Sequence, residues 1–127
     1  MTQASLPTVV INDSDDAYLG RLAQLLGNTV VAVQPATSAS EVIHAISAKA
    51  PLVVLADSRL PLQELAEICS CAHSNHAHVV VTVPDLDQQL IDASFCCGAD
   101  DVVVKPLTEA YLKTKLHIWL LRSGYVA

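Results

Sequence analysis

Short, unbroken apolar runs that stop abruptly at polar residues constrain this chain more than anything else in its sequence. Leu52–Ala56 and His78–Val83 are such runs, and Thr8–Ile11, Thr29–Val33 and Asp101–Val104 are shorter ones rich in β-branched residues. A strand that is apolar along its whole length leaves no face for water, so it suits a parallel sheet covered on both sides. Between the runs the period changes. Tyr18, Leu19, Leu22, Leu25 and Leu26 recur at helical spacing until Gly27-Asn28 ends the pattern, with Asp15 or Ser14 as its cap. Ser38 or Ser40 caps a helix bearing Val42, Ile43 and Ile46. Leu62–Ala72 reads as a third helix, and a fourth passes through Leu86, Leu90, Ile91 and Phe95 to Gly98. Thr108 caps a last helix that runs to about Arg122.

Five strands alternating with five helices, joined by short links, force parallel pairing with right-handed crossovers. The expected fold is α/β: a doubly wound, flavodoxin-like (βα)5 sheet of order 2-1-3-4-5. At 127 residues there is enough chain for one core, so residues 1–127 are expected to form a single domain. Seven basic against 13 acidic residues give a net charge of −6, which repels nucleic acid and argues against direct binding to it. Aromatics are 4%, so no stacking platform for bases is visible. No apolar run reaches the ~20 residues of a membrane helix, and the start, MTQASLPTVV, lacks the pattern of an export signal. The expected location is the cytoplasm, with no membrane partner. There Cys69, Cys71, Cys96 and Cys97 are expected to be free thiols.

Open parallel sheets place functional residues beyond the carboxyl ends of their strands. The first strand delivers Asn12 and Asp13, the third Asp57, the fourth Thr82, and the fifth Lys105 followed by Pro106. Asp13 and Asp57 are hard oxygen donors suited to Mg²⁺. Asp57 is also a carboxylate able to form an acyl phosphate. The hydroxyl of Thr82 and the charge of Lys105 suit the oxygens of a phosphoryl group.

VVINDSD, LVVLADSRLP, VVVT and GADDVVVKP follow one another in an order that resembles the receiver domains of bacterial two-component response regulators, over almost the whole chain. That resemblance implies Asp57 as phosphoacceptor and Asp13, more weakly Asn12, as the acidic pair holding Mg²⁺. It also implies a backbone carbonyl of Arg59 on the metal, Thr82 as the switch hydroxyl, Lys105 as the phosphoryl-binding lysine, and a cis bond before Pro106. The implied function is to take a phosphoryl group from a sensor histidine kinase or a phosphotransfer protein. A population shift would then signal to an output domain or protein, with a homodimer as one form. This is signalling, not metabolic catalysis.

The chain departs from the pattern at several points. Asn12 replaces a carboxylate, the segment after Pro61 is short, Val83 follows Thr82 where a small residue is usual, and Val102 replaces an aromatic. Val83 is expected to crowd Asp57, and Val102 to carry little of the switch. These favour a second reading, a phosphorylation-independent pseudoreceiver that serves as a docking module. A haloacid-dehalogenase-like phosphatase is a weaker third, because Ser58-Arg59 follow Asp57 where an acid would be needed. Cys69, Cys71, His73, His76 and His78 crowd one segment but match no standard zinc spacing, so packing is expected there instead of a metal. Asp100 and Asp101 read as turn residues.

Overall fold

The computed structural model describes residues 6–125, and the first five residues of the start read above lie outside it. Its elements are β1 (Thr8–Asn12), α1 (Asp16–Gly27), β2 (Ala32–Ala36), α2 (Ala39–Lys49), β3 (Val53–Asp57), α3 (Leu62–Ser74), β4 (His78–Val83), α4 (Gln88–Cys96), β5 (Asp101–Val104) and α5 (Glu109–Arg122). The strands are all parallel and lie in the order β2-β1-β3-β4-β5. This is the flavodoxin-like (βα)5 fold expected from the sequence.

Alternation along the strands divides the core between the two faces of the sheet. Val9, Ile11, Val53, Leu55, Val80 and Val103 face α1 and α5, where they meet Leu19, Leu22, Leu26, Leu112, Leu116 and Trp119. Val10, Val54 and Val79 face α2 and α3, and Ala56, Val81 and Val83 pack with Leu65 and partly buried α4 residues. Val83 therefore lies on the face opposite Thr82 and Asp57. The expected crowding of Asp57 by Val83 does not occur, because neighbouring strand residues point to opposite faces.

Five elements differ in their boundaries from the sequence reading: β1 runs one residue further, to Asn12, and α3 two further, to Ser74. β2 occupies Ala32–Ala36, not Thr29–Val33. The amide and hydroxyl of Thr29 both donate to the Leu26 carbonyl, so this residue finishes α1. β2 includes Pro35, which an edge strand tolerates because one side of it needs no ladder bonds. β3 is displaced by one residue and carries Asp57 as its last member. α4 starts at Gln88 because Asp87 accepts from the amides of Gln89 and Leu90, which leaves Leu86 exposed in the preceding loop.

α3 begins immediately after Pro61, so the link from β3 is indeed short. α4 ends in a Schellman arrangement: the Ala99 amide donates to Ser94 O and the Gly98 amide to Phe95 O. Gly98 has φ +113°, and a Cβ there would stand 3.1 Å from Cys69 Cβ. Glycine is thus required both by the turn and by the close approach of α3. Among the described residues no helix is long and apolar enough to cross a membrane.

Candidate functional site

The carboxyl ends of β1, β3, β4 and β5 bring Asp13, Asp57, Thr82 and Lys105 to one place. Asp13 and Asp57 are each 1% exposed. Such burial of two carboxylates is sustained only by partners. Lys105 Nζ lies 2.6 Å from Asp13 Oδ2 and 3.8 Å from Asp57 Oδ1. Its ammonium also sits 4.9 Å from the centre of the Tyr18 ring, a cation–π contact from α1. Lys105 is aimed by the exit from β5, where its amide donates to Val83 O and the bond to Pro106 is cis.

Asp57 is more fully engaged than a loop carboxylate. Its Oδ2 accepts from the amide of Ser14 at 2.9 Å and from the Ser14 hydroxyl at 2.8 Å, and its Oδ1 accepts from the Arg59 amide at 3.0 Å. Burial pushes its pKa upward, but the Ser14 and Arg59 amides, the Ser14 hydroxyl and the Lys105 charge outweigh that and hold it below the ordinary value. Asp57 is therefore ionised at neutral pH, the form a nucleophilic carboxylate needs. Asp13 is oriented by its own turn, with Oδ1 accepting from the Asp15 amide at 2.8 Å. Thr82 is paired with Asp57 across β3 and β4, and its hydroxyl donates to Ala56 O at 3.3 Å.

Asn12 does something different from the role its position implied. Its Oδ1 accepts from the Asp57 amide at 3.1 Å and its Nδ2 donates to Ala36 O at 3.1 Å. Both ends of the amide are committed to tying β2, β1 and β3 together. Arg59 contributes more than a backbone: its guanidinium lies 3.9 Å from Asp13 Oδ1 and 3.6 Å from Asp57 Oδ2. Ser14, Tyr18 and the Arg59 side chain are site residues that the sequence reading missed. The position of Ser14 directly after Asp13 at a strand end was the available signal.

The donor set fits Mg²⁺. Two carboxylates on adjacent strand ends are what this ion takes from a protein while it keeps several waters. Asp13 and Asp57 would hold it, and the Arg59 carbonyl lies on the same loop as Asp57.

The Cys and His cluster lies at the other end of the sheet, where β4 begins. Asp100 Oδ2 accepts from the Val79 amide at 2.8 Å and lies 2.9 Å from His73 Nε2 and 3.8 Å from His78 Nδ1. Asp101 accepts from Trp119 Nε1 at 3.0 Å and from Lys115 at 3.4 Å. Neither aspartate is a mere turn residue: each joins elements through a partner distant in sequence. All four cysteines are free, and burial pushes the Cys69 thiol up to about 11. Among the described residues no group of three or more His, Cys, Asp or Glu side chains is placed to hold a metal ion.

His78 gives this end a pH dependence. Burial lowers its pKa, opposed by Asp100 and Asp101 and assisted by Arg122 and His73. A depressed folded value means that the contribution of His78 is full above the unfolded pKa, ordinarily 6.5, and is lost as pH falls below it. The urea midpoint of the wild type is expected to fall between pH 7.5 and 5.5, and less steeply in His78→Gln. Equal slopes would show that His78 does not control it.

Solved structures define the class to which this fold belongs. No protein-family model and no curated protein matches the sequence. The chain is similar in structure to a CheY-like response regulator receiver domain protein from Methanospirillum hungatei, with TM-score 0.83 and 22% identity over 94% of this chain and 98% of that one. The signal receiver domain of an HD domain-containing protein from Pseudomonas fluorescens matches with TM-score 0.84 and 22% identity, covering 98% and 93%. A two-component response regulator from Clostridium difficile matches with TM-score 0.82 and 20% identity, covering 94% and 99%. The chain has the fold of the response regulator receiver domains.

Proposed function

We propose that this chain is a phosphoacceptor receiver domain in which Asp57 takes a phosphoryl group from the phosphohistidine of a sensor histidine kinase or a phosphotransfer protein. The observation that carries this reading is the buried Asp57 at the end of β3, with the Lys105 ammonium 3.8 Å away. A carboxylate oxygen of Asp57 attacks phosphorus, the P–N bond to the donor imidazole breaks, and its electron pair stays on that nitrogen. Lys105 and the Thr82 hydroxyl are positioned to bind the oxygens of the transferred group. Asp13 and Asp57 would hold Mg²⁺, which would supply positive charge to those oxygens. The Ser14 amide and hydroxyl fix the orientation of the acceptor.

The consequence is a shift between conformations and not turnover of a metabolite. Val102, which replaces the usual aromatic of the pattern, limits how much of that shift β5 conveys. The partners that fit are the phosphodonor, an output domain or protein, and a second copy of the chain. The compartment is the cytoplasm, where such donors work. Neither nucleic acid nor membrane is a direct ligand of so acidic a domain.

The second reading, a pseudoreceiver that docks without phosphorylation, is favoured by one observation: Lys105 and Arg59 already neutralise both carboxylates. Incubation with acetyl phosphate and Mg²⁺ followed by intact-mass spectrometry separates the two. One added phosphoryl group is expected in the wild type and none in Asp57→Asn. An unlabelled wild type would establish the docking module, and equal labelling of Asp57→Asn would move the acceptor elsewhere.

A further inference from the structure

The two cations of the site differ in a way that bears on how metal enters. Lys105 is 9% exposed and closes the inner side of the carboxylate pair, whereas the Arg59 side chain is 54% exposed and closes the side toward solvent. Each cation approaches one oxygen of each carboxylate. Lys105 takes Asp13 Oδ2 and Asp57 Oδ1, and Arg59 takes Asp13 Oδ1 and Asp57 Oδ2. Two negative charges thus meet two positive ones, and the pair is neutral with no metal bound.

The inner contact is short, with 2.6 Å between Lys105 and Asp13. The outer ones are 3.6 and 3.9 Å, beyond the ~2.7–2.9 Å of a charge-assisted hydrogen bond. Arg59 is therefore held by charge and without a bidentate lock. A divalent cation held by Asp13 and Asp57 would compete with Arg59 for Asp13 Oδ1, which also accepts from the Asp15 amide, and Asp57 Oδ2, which also accepts from Ser14. Lys105 is buried and committed, so Arg59 is the group able to leave.

We propose that the Arg59 guanidinium is a tethered counterion that stands in for the divalent metal between Asp13 and Asp57, and that metal binds by displacing it into solvent. This rests on the reading of Asp13 and Asp57 as the metal-holding pair of a phosphoacceptor site. It adds that the free protein keeps its acidic pair neutral through its own side chain, so that occupancy by metal is a competition and not a simple filling. The charge lost from the usual acidic pair at Asn12 acts in the same direction.

Calorimetric titration of the full chain with MgCl₂ alone, in low salt, tests the competition without any phosphodonor. Removal of a unit positive charge 3.6 Å from Asp57 and 3.9 Å from Asp13 is expected to tighten Mg²⁺ binding in Arg59→Ala by about fivefold or more. Added KCl should narrow that gap by screening the exposed guanidinium. Arg59→Lys, which keeps the charge on a shorter stem, should fall between the two. Mg²⁺ should also raise the Tm of Arg59→Ala more than that of the wild type, and Asp13→Asn should abolish binding in both backgrounds. Equal Mg²⁺ affinity in the wild type and Arg59→Ala would overturn the proposal, and so would absence of binding in both. Mass labelling of Asp57 judges the phosphoacceptor reading separately: a labelled Asp57 with unchanged affinities condemns only the tethered counterion.

Discussion

Lys105→Met is expected to lower the stability of the metal-free domain by about 3 kcal/mol, the scale for removing one partner of a buried ion pair. Methionine preserves much of the side-chain volume, so the loss comes from charge and not from a cavity. It leaves Asp13 and Asp57, each 1% exposed, with no inner cation and only the loosely held Arg59. It also removes the ammonium from the Tyr18 ring. Labelling of Asp57 by acetyl phosphate should slow by about 10²–10³-fold, the scale for losing a preorganised group aimed at transition-state charge. Urea denaturation followed by circular dichroism, and the time course of the mass shift, give the two readouts. By contrast, Arg59→Ala should cost under about 1 kcal/mol, because an exposed pair at longer range is mostly screened. A Lys105→Met domain as stable as the wild type would show that the buried carboxylates are solvated by other means.

The unequal legibility of these residues has a physical basis. Asp57 and Lys105 stand at the ends of apolar runs, and such ends must leave the sheet on the same side, so sequence order alone brings them together. β4 and β5 match their expected limits because Pro84 stops β4 and the polar Asp100 and Lys105 flank β5. β2 was less legible. Val30 is β-branched but exposed in the turn, while Pro35 lies inside the edge strand.

Side chains whose role depends on a distant partner were not readable. The Asn12 amide is defined by Ala36 O and the Asp57 amide, and Asp100 by Val79 and His73. The two orientations of Asn12, toward the metal side or across the strands, are equally compatible with its position in the chain. The Arg59 head group is in the same category, because a long flexible stem can reach many places and only the buried carboxylates select one. Trp119 is the exception, because its residue type carries the signal: a buried indole needs an acceptor for its N–H, and Asp101 is an acidic residue at the start of a neighbouring strand.

Trp119 carries the second large effect. It is fully buried, packs among Leu112, Leu116, Leu120 and the sheet, and donates Nε1–H to Asp101 Oδ2 at 3.0 Å. Trp119→Ala should cost about 3–5 kcal/mol through the cavity it leaves. That is a large share of the roughly 5–15 kcal/mol that holds a domain together. Trp119→Phe retains most of the apolar contact and removes the donor, and should cost about 1–3 kcal/mol. Burial pushes the Asp101 pKa up, but the indole N–H, the Val102 amide and Lys115 hold it below the ordinary value of 3.8. A depressed carboxylate contributes stability above its unfolded pKa and loses it as pH falls through the folded one. The Trp119→Phe deficit should therefore be full at pH 7 and shrink as pH falls below about 4. Urea midpoints of wild type and variant at pH 7 and pH 3.5 measure the difference, in which the acid response of His78 cancels. A deficit independent of pH would show that the indole contributes packing alone. Labelling of Asp57 should survive Trp119→Phe, because Asp101 ties α5 to the first residue of β5 while Lys105 leaves β5 at its opposite end.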